Sequence, residues 1–325
     1  TKNDLFVISG SGTAAMEAAV ANFGRDRTIA SLVNGKFGER LYKIGQRYGD
    51  TKEIPSAWGS PLDLEVLEAN LEEGTEVVTV VHKETSVGIK NPVEAVGRLT
   101  RKHGALLIMD GITSIGGDVV EADRWGVDVA FVGSQKCLAA PAGLSAISVS
   151  PRAWEMLADK RPFYLDLAAY RKSASGSPME TPYTPAVPLF LALREALLMV
   201  EEEGLPHRID RHRRMAEAVR SAADAWGLSL FPTTNALHTY SNTVTAVSYP
   251  PGIEDKDMRG IVKSLGVEIA GGQDHLKGKI FRIGHMGAVG PAEIMATLAA
   301  VQNALQALGY TIKEDGVKAA GEVLR

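Results

Sequence analysis

The sequence has almost no cysteine, no excess of either charge and no long apolar run, and each shortage excludes a class of protein. Its single cysteine, Cys137, cannot form an intrachain disulfide or a cysteine-rich metal site, so we expect a reducing, cytoplasmic setting and no metal. The 35 Lys and Arg residues against 39 Asp and Glu residues leave a net charge of −4, which provides no overall field to attract nucleic acid or an anionic membrane. No apolar run approaches the ~18 residues of a membrane span. Small-molecule chemistry is therefore the expected function class.

What the sequence does have is the composition of an ordinary globular chain. Its 325 residues are 45% hydrophobic and 23% charged, which excludes disorder and a collagen-like structure. A chain of this length usually divides into about two domains. The chain opens at Thr1 without a signal-peptide pattern, and residues 4–10 already resemble a buried strand. We therefore expect that some N-terminal sequence is missing.

Between residues 4 and 149, short apolar runs alternate with helical patterns. The predicted strands are Leu5–Ser9, Thr28–Val33, Glu76–His82, Ala105–Asp110, Val127–Gly133 and Leu144–Val149, and the predicted helices are Thr13–Phe23, Glu39–Tyr48, Leu62–Leu71 and Pro92–His103. Continuous apolar strands separated by helices favour a mainly parallel sheet that is covered on both faces. Ligands bind to such sheets at the carboxyl ends of the strands.

The second half of the chain has a different pattern. A Pro- and Ser-rich stretch over residues 173–185 is predicted to be a loop. Two long helices, Leu189–Glu203 and Leu205–Trp226, are followed by strands near Thr243–Ser248, Val267–Ala270 and Ile280–Ile283 and helices near Lys256–Leu265 and Ala292–Leu308. The basic run within His207–Arg220 is typical of a solvated helix face and not of a nucleic-acid site. We predict a large domain over residues 1–204 and a smaller α+β domain over residues 205–325.

The first candidate site is a turn of small residues, Ser9-Gly-Ser-Gly-Thr-Ala-Ala15, between the first strand and a helix. Free backbone amides at a helix N-terminus bind anions, and the hydroxyls of Ser11 and Thr13 add donors, so the turn suits a phosphate. The same letters also match a loose dinucleotide-binding fingerprint, although the acidic residue expected about 20 positions later is replaced by Asn34. A plain strand-to-helix turn is the third interpretation.

Two further apolar strands lead to charged residues at the same predicted sheet edge. One ends in Asp110. This residue is either a functional carboxylate, which needs a cationic partner if it is ionised, or the first residue of an Asp-Gly turn. The other leads to Lys136, and a lysine at the end of a core strand is either reactive or extended toward water. Together, a phosphate site, a carboxylate and an amine are what pyridoxal 5′-phosphate requires: an anchor, a partner for its pyridine nitrogen and an amine for a Schiff base.

Seven motifs in this order resemble those of the class V aminotransferases, a family of the pyridoxal phosphate fold type I, and within it the alanine–glyoxylate and serine–pyruvate aminotransferases. The motifs span essentially the whole chain and are Ser9–Thr13, Asn34–Arg40, His82–Gly88, Asp110–Gly117, Gly133–Gly143, Thr181–Pro185 and Lys279–Gly284. The resemblance implies a large α/β domain with a mainly parallel central sheet and a smaller α+β C-terminal domain.

The resemblance also implies a role for each site residue. Lys136 forms the aldimine with pyridoxal 5′-phosphate and then moves a proton between the substrate Cα and the cofactor, while Asp110 pairs with the pyridine nitrogen. Arg282 grips the substrate α-carboxylate through a bidentate fork. The remaining cofactor-binding residues are Ser11, Gly12, Thr13 and Gln135 at the phosphate, Phe37 and Ile112 at the two ring faces, Thr85 near the ring and its 3′-oxygen, and Thr181 and Thr184 at the phosphate of a neighbouring subunit. The last pair implies a homodimer with active sites at the subunit interface.

The implied reaction is a ping-pong transamination from a small amino acid, alanine or serine, to a 2-oxo acid, glyoxylate or pyruvate. No second Arg or Lys can be assigned to a side-chain carboxylate, which favours small uncharged donors. Transamination of 2-aminoethylphosphonate or another small amine is the nearest alternative. A cysteine desulfurase is disfavoured because it needs a cysteine on a mobile loop. An NAD-dependent dehydrogenase is disfavoured because it leaves Lys136 and Asp110 without a role. The absent N-terminal segment of the family is the only hint of a non-catalytic scaffold.

Overall fold

A seven-stranded sheet forms the centre of the structure, a computed structural model that describes residues 1–325. In chain order the strands are β1 (Asp4–Ser9), β2 (Thr28–Val33), β3 (Asp50–Pro55), β4 (Val77–Val81), β5 (Lys83–Glu84), β6 (Ile89–Lys90), β7 (Leu106–Asp110), β8 (Val129–Gly133), β9 (Leu144–Val149), β10 (Thr239–Tyr240), β11 (Val244–Ser248), β12 (Ala270–Gly271) and β13 (Ile280–Gly284). The helices are α1 (Gly12–Phe23), α2 (Lys36–Tyr48), α3 (Leu64–Glu72), α4 (Val93–Lys102), α5 (Ala122–Trp125), α6 (Pro151–Glu155), α7 (Leu167–Ala174), α8 (Val187–Glu203), α9 (Leu205–Trp226), α10 (Asp255–Ser264), α11 (Pro291–Ala307) and α12 (Gly316–Leu324), with one 3-10 turn over Asp274–Leu276.

The strand order of the large sheet is β1-β9-β8-β7-β4-β2-β3. Strands β8, β7, β4, β2 and β3 pair in parallel, whereas β9 runs antiparallel to both of its neighbours. The central strands are buried on both faces because helices cover both sides, with α1 on one side and α3 and α4 on the other. The prediction of an α/β fold with a mainly parallel central sheet is confirmed.

The register of this sheet brings four connecting segments to one edge. Asp110 of β7 pairs with Val81 of β4 and with Phe131 of β8, so these parallel strands end side by side. At the other side of β9, Ser9 ends β1 opposite Leu144. The turn into α1 and the loops after β4, β7 and β8 therefore lie along the same edge, as expected for a ligand site of a parallel sheet.

A second apolar core lies in the C-terminal part of the chain, where β11, β13 and β12 form an antiparallel sheet. Its buried side chains come from α9, α10, α11, α12, this sheet and the segments that connect them, and they range from Met215 to Ala320. The division into domains over residues 1–204 and 205–325 stays a prediction, and this core supports it. No helix in the structure is long and apolar enough to cross a membrane.

Several elements differ from the sequence prediction. The strand predicted over Val267–Ala270 is wrong for its first three residues, because β12 begins only at Ala270, where pairing with Arg282 starts. The predicted loop over residues 173–185 begins slightly later, since Ser173 and Ala174 complete α7. Strand β3 was not predicted because it is a polar edge strand in which only Ile54 is buried.

Candidate active site

The turn between β1 and α1 leaves backbone amides free at the start of a helix. Ser11 precedes α1, and its side chain makes no capping hydrogen bond. Gly12 is the first helical residue, and a Cβ at this position would stand 2.4 Å from Cδ1 of Ile112. A side chain at this position would have to displace the end of Ile112, so the start of α1 packs directly on the loop after β7. Unsatisfied N–H groups at the positive end of a helix provide an anion site.

Asp110 is a buried acid at the end of β7. Its residue is 3% exposed, and its only side-chain hydrogen bond is accepted from the N–H of Ile112 at 2.8 Å. Burial raises the pKa of Asp110 to about 7, against the opposing effects of that hydrogen bond and of the positive charges of Arg40 and Lys136. A cation placed against this carboxylate would return it to its ionised form.

Lys136 follows β8 and has a free amine on a fixed backbone. It is half-buried, next to the exposed Gln135 and the buried Cys137. The Cys137 thiol donates to the carbonyl of Thr113 at 3.4 Å, and Nη2 of Arg208 donates to the Cys137 carbonyl at 2.8 Å. These contacts hold the main chain beside Lys136 against the loop after β7, while its amine forms no ion pair or hydrogen bond with the rest of the chain.

Phe37 is placed by a buried carboxylate that sequence reasoning missed. Glu84 accepts the N–H groups of Phe37 and Gly38, both at 3.0 Å, and the hydroxyl of Ser86 at 2.6 Å. Burial raises the pKa of Glu84, and these hydrogen bonds oppose the shift. Negative charge at a helix N-terminus is stabilising, so Glu84 fixes the first turn of α2. In the sequence, the only indication of this role is that Glu84 is the acidic residue of the His82–Gly88 motif.

Thr85 and Arg282 meet between the two halves of the chain. The hydroxyl of Thr85 lies 2.9 Å from that of Thr113, whose own hydrogen goes to the Lys83 carbonyl, so Thr85 is the donor. Arg282 donates from Nε to the Gly271 carbonyl at 3.0 Å and from Nη1 to the Thr85 carbonyl at 2.9 Å. Burial lowers the pKa of Arg282. Its Nη2 has no partner in the chain and remains free to bind an anion.

Thr181 and Thr184 lie apart from the other predicted residues. Both are exposed, and they line an open groove of about 710 Å³ beside β1. The hydroxyl of Thr181 donates to the Tyr183 carbonyl at 2.8 Å, and the loop is tied to the first strand by the N–H of Ala186, which donates to Ser9 Oγ at 3.2 Å. Within one chain the structure does not bring these two threonines to Asp110 or Lys136.

The residues present fit pyridoxal 5′-phosphate. The start of α1 offers free donors for a phosphate, and Asp110 is a buried acid without a cationic partner, as a protonated pyridine nitrogen requires. Lys136 supplies an unpaired amine at the same sheet edge. A flat, cationic, phosphorylated ring would satisfy all three features at once.

Comparison with known proteins gives matches over nearly the whole chain. The family model of aminotransferase class-V matches residues 7–289. An uncharacterised aminotransferase of Methanocaldococcus jannaschii is 46% identical over 332 residues, 100% of this chain and 85% of that relative. The small subunit of a soluble hydrogenase of Synechococcus sp. is 43% identical over 337 residues, 100% of this chain and 86% of the relative. Serine–glyoxylate aminotransferase of Arabidopsis thaliana is 35% identical over 338 residues, 100% and 83% of the two chains.

Solved structures show the same likeness. Ureidoglycine–glyoxylate aminotransferase of Bacillus subtilis superposes with a TM-score of 0.92 and 32% identity over 99% of this chain and 85% of that one. Alanine–glyoxylate aminotransferase of Nostoc sp. superposes with a TM-score of 0.83 and 34% identity over 100% of this chain and 83% of that one.

Proposed function

The chain belongs to the class V aminotransferase family, and from this premise we propose that it transfers an amino group from alanine or serine to glyoxylate or pyruvate by a ping-pong mechanism. The proposal rests mainly on two side chains that lie at the ends of neighbouring strands. Asp110 is a buried acid without a cationic partner, and Lys136 has a free amine. Glyoxylate as acceptor is supported by the names of three of the proteins compared above.

Each residue at this edge has a definite task in that reaction. Pyridoxal 5′-phosphate, when bound, supplies an electron-withdrawing ring that stabilises negative charge at the substrate Cα. Asp110, ionised by the cation against it, keeps a proton on the ring nitrogen. The amine of Lys136 would act as the base that takes the proton from the substrate Cα, and the resulting ammonium would then act as the acid that returns a proton on the cofactor side of the transferred nitrogen.

Other side chains hold the reacting groups in place. Ser11, Gly12, Thr13 and Gln135 bind the phosphate, Phe37 and Ile112 enclose the ring, and Thr85 lies at the side of the ring near its 3′-oxygen. Arg282 binds the α-carboxylate, because two of its nitrogens are fixed on main-chain carbonyls and Nη2 is free. An amino acid and a 2-oxo acid share this carboxylate, so one arginine serves both half-reactions.

We propose a homodimer in which Thr181 and Thr184 reach the cofactor phosphate of the neighbouring subunit. Their exposure on a loop that is anchored to Ser9 supports this arrangement. Exposed apolar side chains near the same loop also suit a subunit interface, Phe163 at 84% and Met179 at 76% exposure.

The name of the Synechococcus relative, a hydrogenase subunit, is not a basis for proposing hydrogenase activity here, because this chain offers few cysteine ligands for a metal cluster. The only cysteine is Cys137, whose buried thiol already donates to the Thr113 carbonyl. Burial raises the pKa of that thiol to about 11, so it is a poor source of thiolate for a metal cluster.

The proposal is tested by adding substrates singly to the protein loaded with pyridoxal 5′-phosphate. Alanine or serine alone should change the visible spectrum and release the 2-oxo acid, and glyoxylate or pyruvate added afterwards should restore the spectrum. A visible spectrum that changes only when glutamate, aspartate or 2-aminoethylphosphonate is added would contradict the proposed donors. No spectral response until donor and acceptor are both present would contradict the ping-pong order.

A further inference from the structure

We propose that Arg40 is the cation that binds the phosphate group of the cofactor, an inference that rests on the proposed function. Arg40 lies on α2, one turn after Phe37, and its Nη1 donates to Oγ1 of Thr13 at 3.1 Å. Its guanidinium carbon stands 4.9 Å from the centre of the Phe37 ring. Arg40 therefore connects the start of α1, where a phosphate fits, with the aromatic side chain proposed to cover the cofactor ring.

The proposed phosphate site otherwise lacks positive charge. Its other proposed ligands within the chain, Ser11, Gly12, Thr13 and Gln135, are all neutral. A phosphate monoester carries a charge of roughly −1.5 to −2 at neutral pH, and an ion of that charge in a partly buried site needs a counter-ion. A guanidinium matches phosphate through two parallel N–H donors, which makes arginine well suited to this task.

Arg40 has no acidic partner in the chain, in contrast to the two lysines on either side of it on α2. Lys36 pairs with Glu39 at 2.9 Å and with Asp274 at 2.5 Å, and Lys43 also pairs with Glu39. The polar partner of Arg40 is instead a neutral hydroxyl, that of Thr13. A half-buried guanidinium that gives up no carboxylate contact can bind an incoming anion without breaking an ion pair.

The alternative role for Arg40 is to support Phe37 by stacking alone. The two roles differ in the part of the cofactor whose binding Arg40 would affect. A phosphate ligand affects only phosphorylated forms, whereas a support for Phe37 affects the ring and therefore acts on pyridoxal and pyridoxal 5′-phosphate alike.

The test removes the cofactor from the full-length chain and titrates it back into wild type, Arg40→Gln, Arg40→Lys and the control Arg47→Gln. Arg47 is exposed at the far end of α2, so its substitution makes the same charge change on the same helix. We expect Arg40→Gln to raise the Kd for pyridoxal 5′-phosphate about 10- to 100-fold, as for the loss of charge-assisted hydrogen bonds. Arg40→Lys should recover part of the loss, and Arg47→Gln should match wild type.

Two further ligands separate the outcomes. The Kd for pyridoxal, which has no phosphate, should be the same in wild type and Arg40→Gln, and inorganic phosphate should compete with pyridoxal 5′-phosphate more weakly in the variant. Equal weakening of pyridoxal and pyridoxal 5′-phosphate, or no change in either, would overturn the assignment of Arg40. A wild-type chain that binds neither ligand would instead refute the proposed function itself.

Discussion

Nη1 of Arg282 donates to the main-chain carbonyl of Thr85 at 2.9 Å across a separation of 197 residues. The residue proposed to bind the substrate carboxylate is thus attached to the segment proposed to lie beside the cofactor ring. Because a second nitrogen of Arg282 donates to Gly271, the guanidinium plane is fixed before substrate arrives. Pre-organisation of this kind lowers the entropy cost of binding a carboxylate.

The first prediction concerns Arg282→Lys. The single nitrogen of a lysine cannot keep both main-chain contacts and also bind the carboxylate, so KM for the amino acid and for the 2-oxo acid should each rise about 10- to 100-fold. The Kd for the cofactor should stay at the wild-type value, because the proposed contact is with substrate only. A rise in KM for one substrate alone would contradict a shared carboxylate site.

Parts of this site were predictable from sequence, and parts were not. Asp110 ends one apolar strand, and Lys136 follows another. Because parallel strands all end at the same edge of a sheet, the sequence alone places both residues at that edge. Glu84 and Arg40 were missed because their importance depends on contacts with Phe37 and Thr13, residues 47 and 27 positions away. Nothing in a local pattern reveals such pairs.

The second prediction concerns Glu84, which fixes the first turn of α2. Glu84→Ala leaves the N–H groups of Phe37 and Gly38 without an acceptor, so the free energy of unfolding should fall by about 1–3 kcal/mol. The Kd for the cofactor should rise as well, because Phe37 is no longer held in place. Urea unfolding and cofactor titration measure the two effects.

Glu84→Gln is the matched control for that change. Its amide oxygen still accepts N–H groups but carries no charge, so it should recover most of the stability and most of the affinity for the cofactor. If Glu84→Ala lost stability while the cofactor bound as tightly as in wild type, the link between Glu84 and Phe37 would be wrong.

The third prediction is a pH dependence of the cofactor-free chain. Burial raises the pKa of Asp110 to about 7 from an ordinary value of 3.8, so the folded chain holds this proton more tightly than the unfolded chain does. The stability that Asp110 contributes is therefore full below about pH 4 and is lost as pH rises toward about 7, by an amount on the order of 4 kcal/mol. Asp110→Asn should abolish this loss.

The measurement compares unfolding of wild type and Asp110→Asn at pH 5 and at pH 8, both without cofactor. Asp110→Asn should be the more stable chain at pH 8, and its advantage should shrink at pH 5. With pyridoxal 5′-phosphate present the order should reverse at pH 8, since only the carboxylate stabilises a protonated ring. A constant difference between the two chains at both pH values would contradict the shifted pKa.

The fourth prediction tests the proposed dimer by complementation. One inactive chain carries Lys136→Ala, and the other carries Thr181→Ala with Thr184→Ala. If the threonines act on the neighbouring subunit, a hybrid dimer contains one site with all native residues, and mixing should restore activity. If they act within their own chain, every site in the hybrid stays defective, and mixing should restore nothing.

Borohydride reduction of the loaded protein, followed by peptide mapping, shows whether Lys136 is the amine that engages the cofactor. We expect one reduced cofactor per chain, attached to Nζ of Lys136, and none attached to the Lys136→Ala variant. Attachment to another lysine such as the buried Lys83, or a cofactor that dialyses away after reduction, would contradict it.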